Sequence, residues 1–246
     1  MERRGSTRTA VVWEVLRTEV ERAAAVRPVL SVVDVGGGTG GFAVPLARQG
    51  HQVTVVDASP DALAALTRRA AEAGVGARVH AVQGDADALA DLVEPGSADI
   101  VLCHSVLEVV DSPADVAAAL AATLRPGNGG APGGAASVVV ASRIAAVLAR
   151  AMAGQLDTAT ALLRDGTAGA RDTLRRRFDV DTATSLLTKA GLSVDEVHGV
   201  RVVADLVPGG VAEREHDALV AFELAVAGLS PFRDIATQLH LLARRG

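Results

Sequence analysis

The chain has 246 residues, 49% of them apolar, and a formal net charge of −5. The apolar fraction is ample for one large α/β core, and the acidic balance excludes a global attraction to nucleic acid, leaving only a local arginine patch for that purpose. Cys103 is the single cysteine, which excludes a disulfide framework and a cysteine metal cluster. No apolar run approaches a membrane span and Met-Glu-Arg-Arg-Gly-Ser-Thr at the N-terminus has no signal-peptide core, so a cytoplasmic location is expected.

The core is built of Ala, Val and Leu: there is no tyrosine, one tryptophan (Trp13) and four phenylalanines. Lys189 is the only lysine beside 23 arginines, which reads as the codon usage of a GC-rich genome. In chain order, Thr9 to Ala25 is a helical segment with Val12, Leu16 and Val20 at helical spacing. A first strand, Val29–Val35, leads through glycines into a helix over Gly40–Ala47. A second strand is Gln52–Asp57, and Ser59-Pro60-Asp61 starts the next helix with proline in its first turn. Strands follow at Arg78–Gln83 and Asp99–Cys103, then a helix at Pro113–Leu124 stopped by Arg125-Pro126-Gly127. Residues 127–134 read as a flexible loop before a fifth strand, Ala136–Ala141.

After that strand the pattern changes. Arg143–Leu163 is a helix or helix pair, Arg171–Arg177 is basic, and Asp181–Ala190 is a helix closed by Gly191. The strand Leu192–Val203, a helix at 211–228 and a last strand at Gln238–Ala243 complete the chain. The expected fold is α/β: a Rossmann-like seven-stranded sheet with helices on both faces and an antiparallel last strand. One domain over 1–246 is expected. Within it lie an N-terminal helical segment (1–27), a cofactor-binding core (28–141), a helical substrate-side insertion (142–190), and a C-terminal hairpin and helix (191–246).

The richest stretch is Val-Val-Asp34-Val-Gly36-Gly37-Gly38-Thr39-Gly40-Gly41. A tight turn that a ligand must approach closely needs glycines. The letters fit both the acid-x-Gly-x-Gly-x-Gly pattern of S-adenosylmethionine (SAM) methyltransferases and the G-x-G-x-x-G dinucleotide fingerprint. Asp57, 23 residues after Asp34, ends the second strand, where a carboxylate accepts from ribose hydroxyls; its bland alternative is a helix cap. In Gly84-Asp85-Ala86-Asp87, Asp85 can accept from an adenine amine and the Ala86 N–H can donate, though an ordinary Asp-rich turn reads the same way. His104 ends the fourth strand, at the rim where open α/β sheets bind ligands. A dinucleotide enzyme needs a catalytic segment such as Tyr-x-x-x-Lys after the fifth strand. The chain has no tyrosine, and Lys189 lies in a routine helix. The cofactor expected is therefore SAM.

Val-Val-Asp34-Val-Gly-Gly-Gly-Thr-Gly, Gly50-His51-Gln52-Val53, Cys103-His104-Ser-Val-Leu107-Glu108, Leu124-Arg-Pro-Gly127, Met152-Ala-Gly154, Gly199-Val-Arg201-Val202, Glu223-Leu and Leu239-His240 resemble the bacterial tRNA 5-carboxymethoxyuridine methyltransferase family. The likeness runs in order from about Arg8 to Leu242. It implies an enzyme that esterifies the carboxylate of a modified wobble uridine. It also implies cofactor contacts at Arg8, Gly36, Gly37, Asp57, Asp85, Ala86 and His104, with Asp34, Gly38 and Ala58 beside them. Arg8, five residues before Trp13 as in the family, would pair with the cofactor's carboxylate.

The departures concern the acceptor. Arg201-Val-Val-Ala-Asp205-Leu206 stands where the family has Arg-Val-Phe-His-Asp-Tyr, and Ser142-Arg143 replaces its tyrosine-asparagine pair. Single-stranded RNA recognition usually stacks bases on aromatics, and this chain has few. A carboxylate acceptor needs no general base but does need a cationic anchor, for which Arg201 comes first and Arg143 second; each alternatively covers apolar surface. The partners expected are tRNA or a small carboxylate, with no membrane and no metal, in a monomer or homodimer. A small-molecule methyltransferase of secondary metabolism and a SAM-binding protein without methyl transfer remain alternative readings.

Overall fold

The computed structural model of the chain describes residues 9–128, 133–165 and 174–246. Its strands are β1 (Ser31–Val35), β2 (Gln52–Asp57), β3 (Val79–Gln83), β4 (Ile100–His104), β5 (Ala135–Ala141), β6 (Leu192–Val200) and β7 (Gln238–Arg245). They form one sheet in the order β3-β2-β1-β4-β5-β7-β6. The first five run parallel, and β7 is antiparallel to both β5 and β6. Strand order reverses at β1, whose neighbours are β2 and β4. That is the switch point at which open α/β sheets leave a crevice beyond their carboxyl ends.

The helices in the first part are α1 (Ala10–Ala24), α2 (Ala43–Arg48), α3 (Pro60–Glu72), α4 (Leu89–Leu92) and α5 (Pro113–Thr123). Those of the second part are α6 (Arg143–Met152), α7 (Leu156–Asp165), α8 (Val180–Lys189), α9 (Gly209–Arg214), α10 (His216–Val226) and α11 (Phe232–Ile235). The strands read as continuous apolar runs because both sheet faces are covered. On one face Leu16, Val20, Leu46 and Leu66 of α1, α2 and α3 pack on Val32, Val53, Val55 and Leu102. On the other, Val116, Leu120 and Leu187 of α5 and α8 pack on Val33, Val101, Val138 and Leu241. Leu120 is fully buried, and its truncation to alanine costs about 2–5 kcal/mol. Ser59, Ser112 and Ser142 cap α3, α5 and α6 by accepting the N–H of Ala62, Asp115 and Ala145.

Besides shifts of a few residues at the ends of other elements, the later part of the chain departs from the sequence reading in three places. The predicted strand Leu192–Val203 stops at Val200: Arg201 turns into the left-handed region with φ 61°, and the next three N–H groups leave the sheet. Glu223, fully buried on α10, accepts all three, from Val202, Val203 and Ala204, each at 2.8 Å. The helix expected over 211–228 is broken at Glu215 into α9 and α10. The segment Arg143–Leu163, expected as a helix or a helix pair, is the pair, divided at Gly154 with φ 73°. Helix α8 starts one residue early because Asp179 and Thr182 form a reciprocal capping box. The predicted loop 127–134 and basic segment Arg171–Arg177 lie partly outside the described residues.

Candidate cofactor cleft and acceptor rim

Beyond β1 the backbone turns through Gly36, Gly37 and Gly38, and the Gly36 N–H donates to the Val56 carbonyl of β2 at 2.7 Å. Two of these glycines are required sterically. A Cβ on Gly36, whose φ is 70°, would come 2.4 Å from Val106 Cγ2. One on Gly37 would come 2.6 Å from the Asp34 carboxylate. The end of β2 closes over the same turn: Asp57 Oδ2 accepts the Gly38 N–H at 2.8 Å and Oδ1 accepts the Ser59 N–H at 2.9 Å. A carboxylate offers about four lone-pair sites, so each oxygen keeps capacity for a ligand hydroxyl. After β3, Asp85 caps a single 3-10 turn, Oδ1 accepting the Asp87 N–H at 3.3 Å.

These pieces surround a cleft of about 270 Å³ whose lining includes Gly36, Asp57, Ala58, Asp85, Ala86 and Val106. Asp87 and Asp111 bring its carboxylates to four, against Arg175, which is ion-paired to Asp111. An acidic lining favours a cationic ligand and opposes a pyrophosphate. Beneath the turn, Asp34 is buried and its Oδ2 has no hydrogen-bond partner. Burial, and secondarily the charge of Asp57, push its carboxyl up to about 7. A glycine cradle, an orphaned acid below it and acids around it fit the sulfonium and ammonium charges of SAM.

The other expected residues stand along the rim rather than in this cleft. His104 is the last residue of β4, edge-on to Phe42 at 4.7 Å between ring centroids, and Phe42 stacks on Trp13. Its Nε2 lies 2.9 Å from Ser137 Oγ, and burial lowers its pKa to about 4, so the ring is neutral. Arg143 follows β5 and is ion-paired with Asp179, the α8 cap; its Nε has no partner. Arg201 follows β6 and is ion-paired with Asp205, again with a buried, unpartnered Nε. Its carbonyl accepts from both the N–H and the hydroxyl of Thr237. Arg8 lies outside the described residues.

The fold also brings in residues that the sequence reading did not single out as site residues. Ser105 has φ 59° and its Oγ accepts from Gln238 Nε2 at 3.0 Å, joining β4 to the start of β7. Glu108 is buried, its Oε1 accepting the Ala141 N–H at 3.2 Å and its Oε2 left without a partner; burial pushes it up to about 7. The Glu108 carbonyl accepts the Arg175 and Arg176 N–H groups, and the Arg176 guanidinium donates to the carbonyls of Leu107, Val110 and Asp111. Ser105, Glu108 and His240 were visible in the sequence as parts of motifs and Arg175 as part of a basic segment; Gln238 and Asp111 carried no signal of a site. Among the described residues no group of His, Cys, Asp and Glu could hold a metal ion, and no helix is long and apolar enough to cross a membrane.

A seven-stranded sheet in this strand order is the fold of class I SAM-dependent methyltransferases, and together with the domain match and the relatives that follow it makes the protein a SAM-dependent methyltransferase. The methyltransferase domain family matches residues 32–127. The chain is 27% identical over 245 residues to the tRNA 5-carboxymethoxyuridine methyltransferase of Escherichia coli (strain K12), spanning 98% of this chain and 89% of that one. Over 97 residues it is 37% identical to the ubiquinone biosynthesis O-methyltransferase of Burkholderia thailandensis, 39% of this chain and 40% of that one. The fold matches a SAM-dependent methyltransferase from Mesorhizobium loti with TM-score 0.62 at 21% identity, covering 98% and 99% of the two chains. It also matches Haemonchus contortus phosphoethanolamine N-methyltransferase 2 in complex with SAM, with TM-score 0.60 at 18% identity over 95% of this chain and 52% of that one.

Proposed function

We propose that the protein transfers the methyl group of SAM to a carboxylate oxygen held at the rim, and that 5-carboxymethoxyuridine at the tRNA wobble position is the first acceptor to test. When bound, SAM supplies an electrophilic methyl group. Asp57 takes the ribose hydroxyls, with Ala58 beside it; Asp85 and Ala86 take the adenine; Gly36, Gly37 and Gly38 let the methionine portion approach the backbone above Asp34. Arg8 and His104 complete the amino-acid end. A carboxylate is ionised at neutral pH, so the residues around it need only orient it and exclude water. Arg201 is its anchor, and Arg143 the second candidate.

The observation that carries this reading is the conformation of Arg201. A non-glycine residue in the left-handed region costs of order 1–3 kcal/mol and persists only where its surroundings over-determine it. Glycine would occupy that turn without strain, so an arginine there is best understood by what its side chain does. The full-length similarity to a tRNA methyltransferase supports the acceptor. The test is mass spectrometry of tRNA nucleosides after incubation of the purified protein with SAM and tRNA bearing the free acid. A methyl ester is expected; unchanged acid at every enzyme concentration overturns the tRNA reading.

One observation favours a small apolar acid instead. Helix α6 leaves the rim with Leu148 and Met152 exposed, and none of its residues is fully buried. The same incubation with apolar carboxylic acids separates the two.

A further inference from the structure

We propose that Arg175, from the segment that precedes α8, completes the nucleoside end of the cofactor cleft by setting its guanidinium against the adenine, and that Arg176 is the positioning residue that holds it there. Arg175 is exposed and lines the cleft, and among the described lining residues it is the only cation. Its neighbours fix which end of the cleft it serves. The guanidinium is ion-paired with Asp111, and the Asp111 N–H donates to Asp87 Oδ2 at 3.4 Å. Asp87 belongs to the 3-10 turn that Asp85 caps, the turn assigned above to the adenine. An adenine offers an amine, which a carboxylate accepts, and ring nitrogens and a π face, which a carboxylate cannot serve. A guanidinium serves both, since its N–H groups donate and its plane stacks on aromatic faces. The other charged groups of the lining are the four aspartates Asp57, Asp85, Asp87 and Asp111, none of which can do so when ionised.

Arg175 stands in the cleft because its segment is bound to the cleft's wall. The loop after β4 brings Val106, Val109, Val110 and Asp111 to the cleft, and between residues 105 and 112 it is neither helix nor strand. Its carbonyls must therefore find donors elsewhere. The Glu108 carbonyl accepts the N–H of Arg175 at 3.0 Å and that of Arg176 at 3.3 Å. The Arg176 guanidinium donates to the carbonyls of Leu107, Val110 and Asp111 at 3.1, 2.6 and 3.3 Å. One planar side chain thus ties down three carbonyls of the loop, a task for which the fork of an arginine is built. Two residues further on, the Phe178 N–H donates to the Ala141 carbonyl at the end of β5, at 2.9 Å. The segment is anchored on both sides of the sheet's crevice-facing loops, and Arg175 is the neighbour of the first anchor. Arg176 acts through Arg175.

The inference rests on the reading that adenine lies at Asp85 and Ala86, and the two are tested apart. The experiment is calorimetry with S-adenosylhomocysteine and with 5′-methylthioadenosine, which is uncharged and lacks the amino-acid portion. An exposed ion pair contributes little to folding, so Arg175→Ala should unfold in urea like the wild type. It should weaken both ligands about tenfold, which places the contact on the nucleoside they share. Arg175→Lys keeps the charge and loses the plane, and should stay weakened. A cation that only offset the four aspartates would act the other way. Its removal would strengthen the binding of cationic SAM and leave 5′-methylthioadenosine unchanged, and that result overturns the proposal, as does unchanged affinity for both nucleosides. Arg176→Ala should weaken both ligands, Arg176→Lys should restore part of the loss, and Arg176→Ala should cost much less when residue 175 is already alanine. Losses that multiply in the double variant overturn the positioning role. Asp85→Ala with unchanged affinities overturns the adenine reading and this proposal with it; a loss for Asp85→Ala with none for Arg175→Ala overturns this proposal alone.

Discussion

Asp34→Asn separates what the cofactor turn needs from what the fold needs. Asp34 is buried, its Oδ2 has no partner, and its carboxyl is pushed up to about 7 from the usual 3.8, first by burial and then by Asp57. A folded-state pKa above the unfolded one means that the folded protein holds a proton that the unfolded chain has lost. Stability from this group is complete below about pH 4 and drains away as pH rises toward 7. A carboxyl raised this far loses about 4 kcal/mol of stability by pH 8 but only about 1.5 kcal/mol at pH 5, where the unfolded chain has lost its proton and the folded carboxyl still holds it. Asparagine never ionises, but its amide is left with unmet hydrogen bonds worth about 1–3 kcal/mol at either pH. Relative to wild type, the variant should therefore gain about 2–3 kcal/mol between pH 5 and pH 8. Urea unfolding at the two pH values measures it, and S-adenosylhomocysteine affinity at pH 8 should fall as the anion beneath Gly37 is lost. A stability difference that is the same at both pH values would refute the burial argument.

Asp57→Ala should weaken S-adenosylhomocysteine binding by about 1.5–3 kcal/mol, since the ribose acceptor is lost together with the bonds to Gly38 and Ser59; unchanged affinity by calorimetry counts against this cleft. Arg201→Gly should hold or raise thermal stability by up to about 1 kcal/mol by relieving the left-handed residue, while Arg201→Lys and Arg201→Gly both lower turnover with cofactor affinity intact. Equal turnover of wild type and Arg201→Gly on an identified acceptor would make Arg201 structural. Asp205→Asn should lower KM for an anionic acceptor by freeing the guanidinium; a raised KM would mean that Asp205 orients Arg201 instead of competing for it. If tRNA is the acceptor, its affinity should fall steeply with salt in filter binding, because arginines and not aromatics must hold it; flat affinity would point to a small molecule.

The first half of the chain was legible because each unit announces itself locally. Ser59-Pro60 and Ser112-Pro113 mark helix starts that the structure places at Pro60 and Pro113, and the strand Gln52–Asp57 appears with the expected ends. The cleft residues were legible for the same reason: Gly36, Asp57 and Asp85 each end or follow a strand, and parallel strands deliver their ends to one edge. What escaped depends on partners far away in sequence. The stop after Val200 is set by Glu223 on a helix that begins beyond it, and no local pattern encodes a carboxylate collecting three N–H groups. The acidic lining needs Asp111 beside Asp57, and His104 needs Ser137 from the neighbouring β5. The arginines were found as residue types, but their carboxylate partners, Asp179 and Asp205, were not.

Those partners shape the chemistry that the rim can support. The cleft gathers carboxylates where a cationic cofactor would lie, and the rim beyond it carries Arg143 and Arg201 where an anionic acceptor would come. An unpaired, half-buried guanidinium would be costly before the acceptor arrives, and Asp205 removes that cost by pairing with it inside the protein. The acceptor carboxylate then competes with Asp205 for one cation, or completes the Nε side that Asp205 leaves open. Methylation changes that balance. A carboxylate that has become an ester carries no charge, so it loses its claim on the guanidinium while Asp205 keeps its own. On the carboxylate reading, the reaction weakens product binding at the group it modifies, and the internal ion pair re-forms as the ester leaves. An uncharged acceptor would gain nothing from this arrangement, which is why the pairing of Arg201 with Asp205 bears on the acceptor's charge as well as on the stability of the turn.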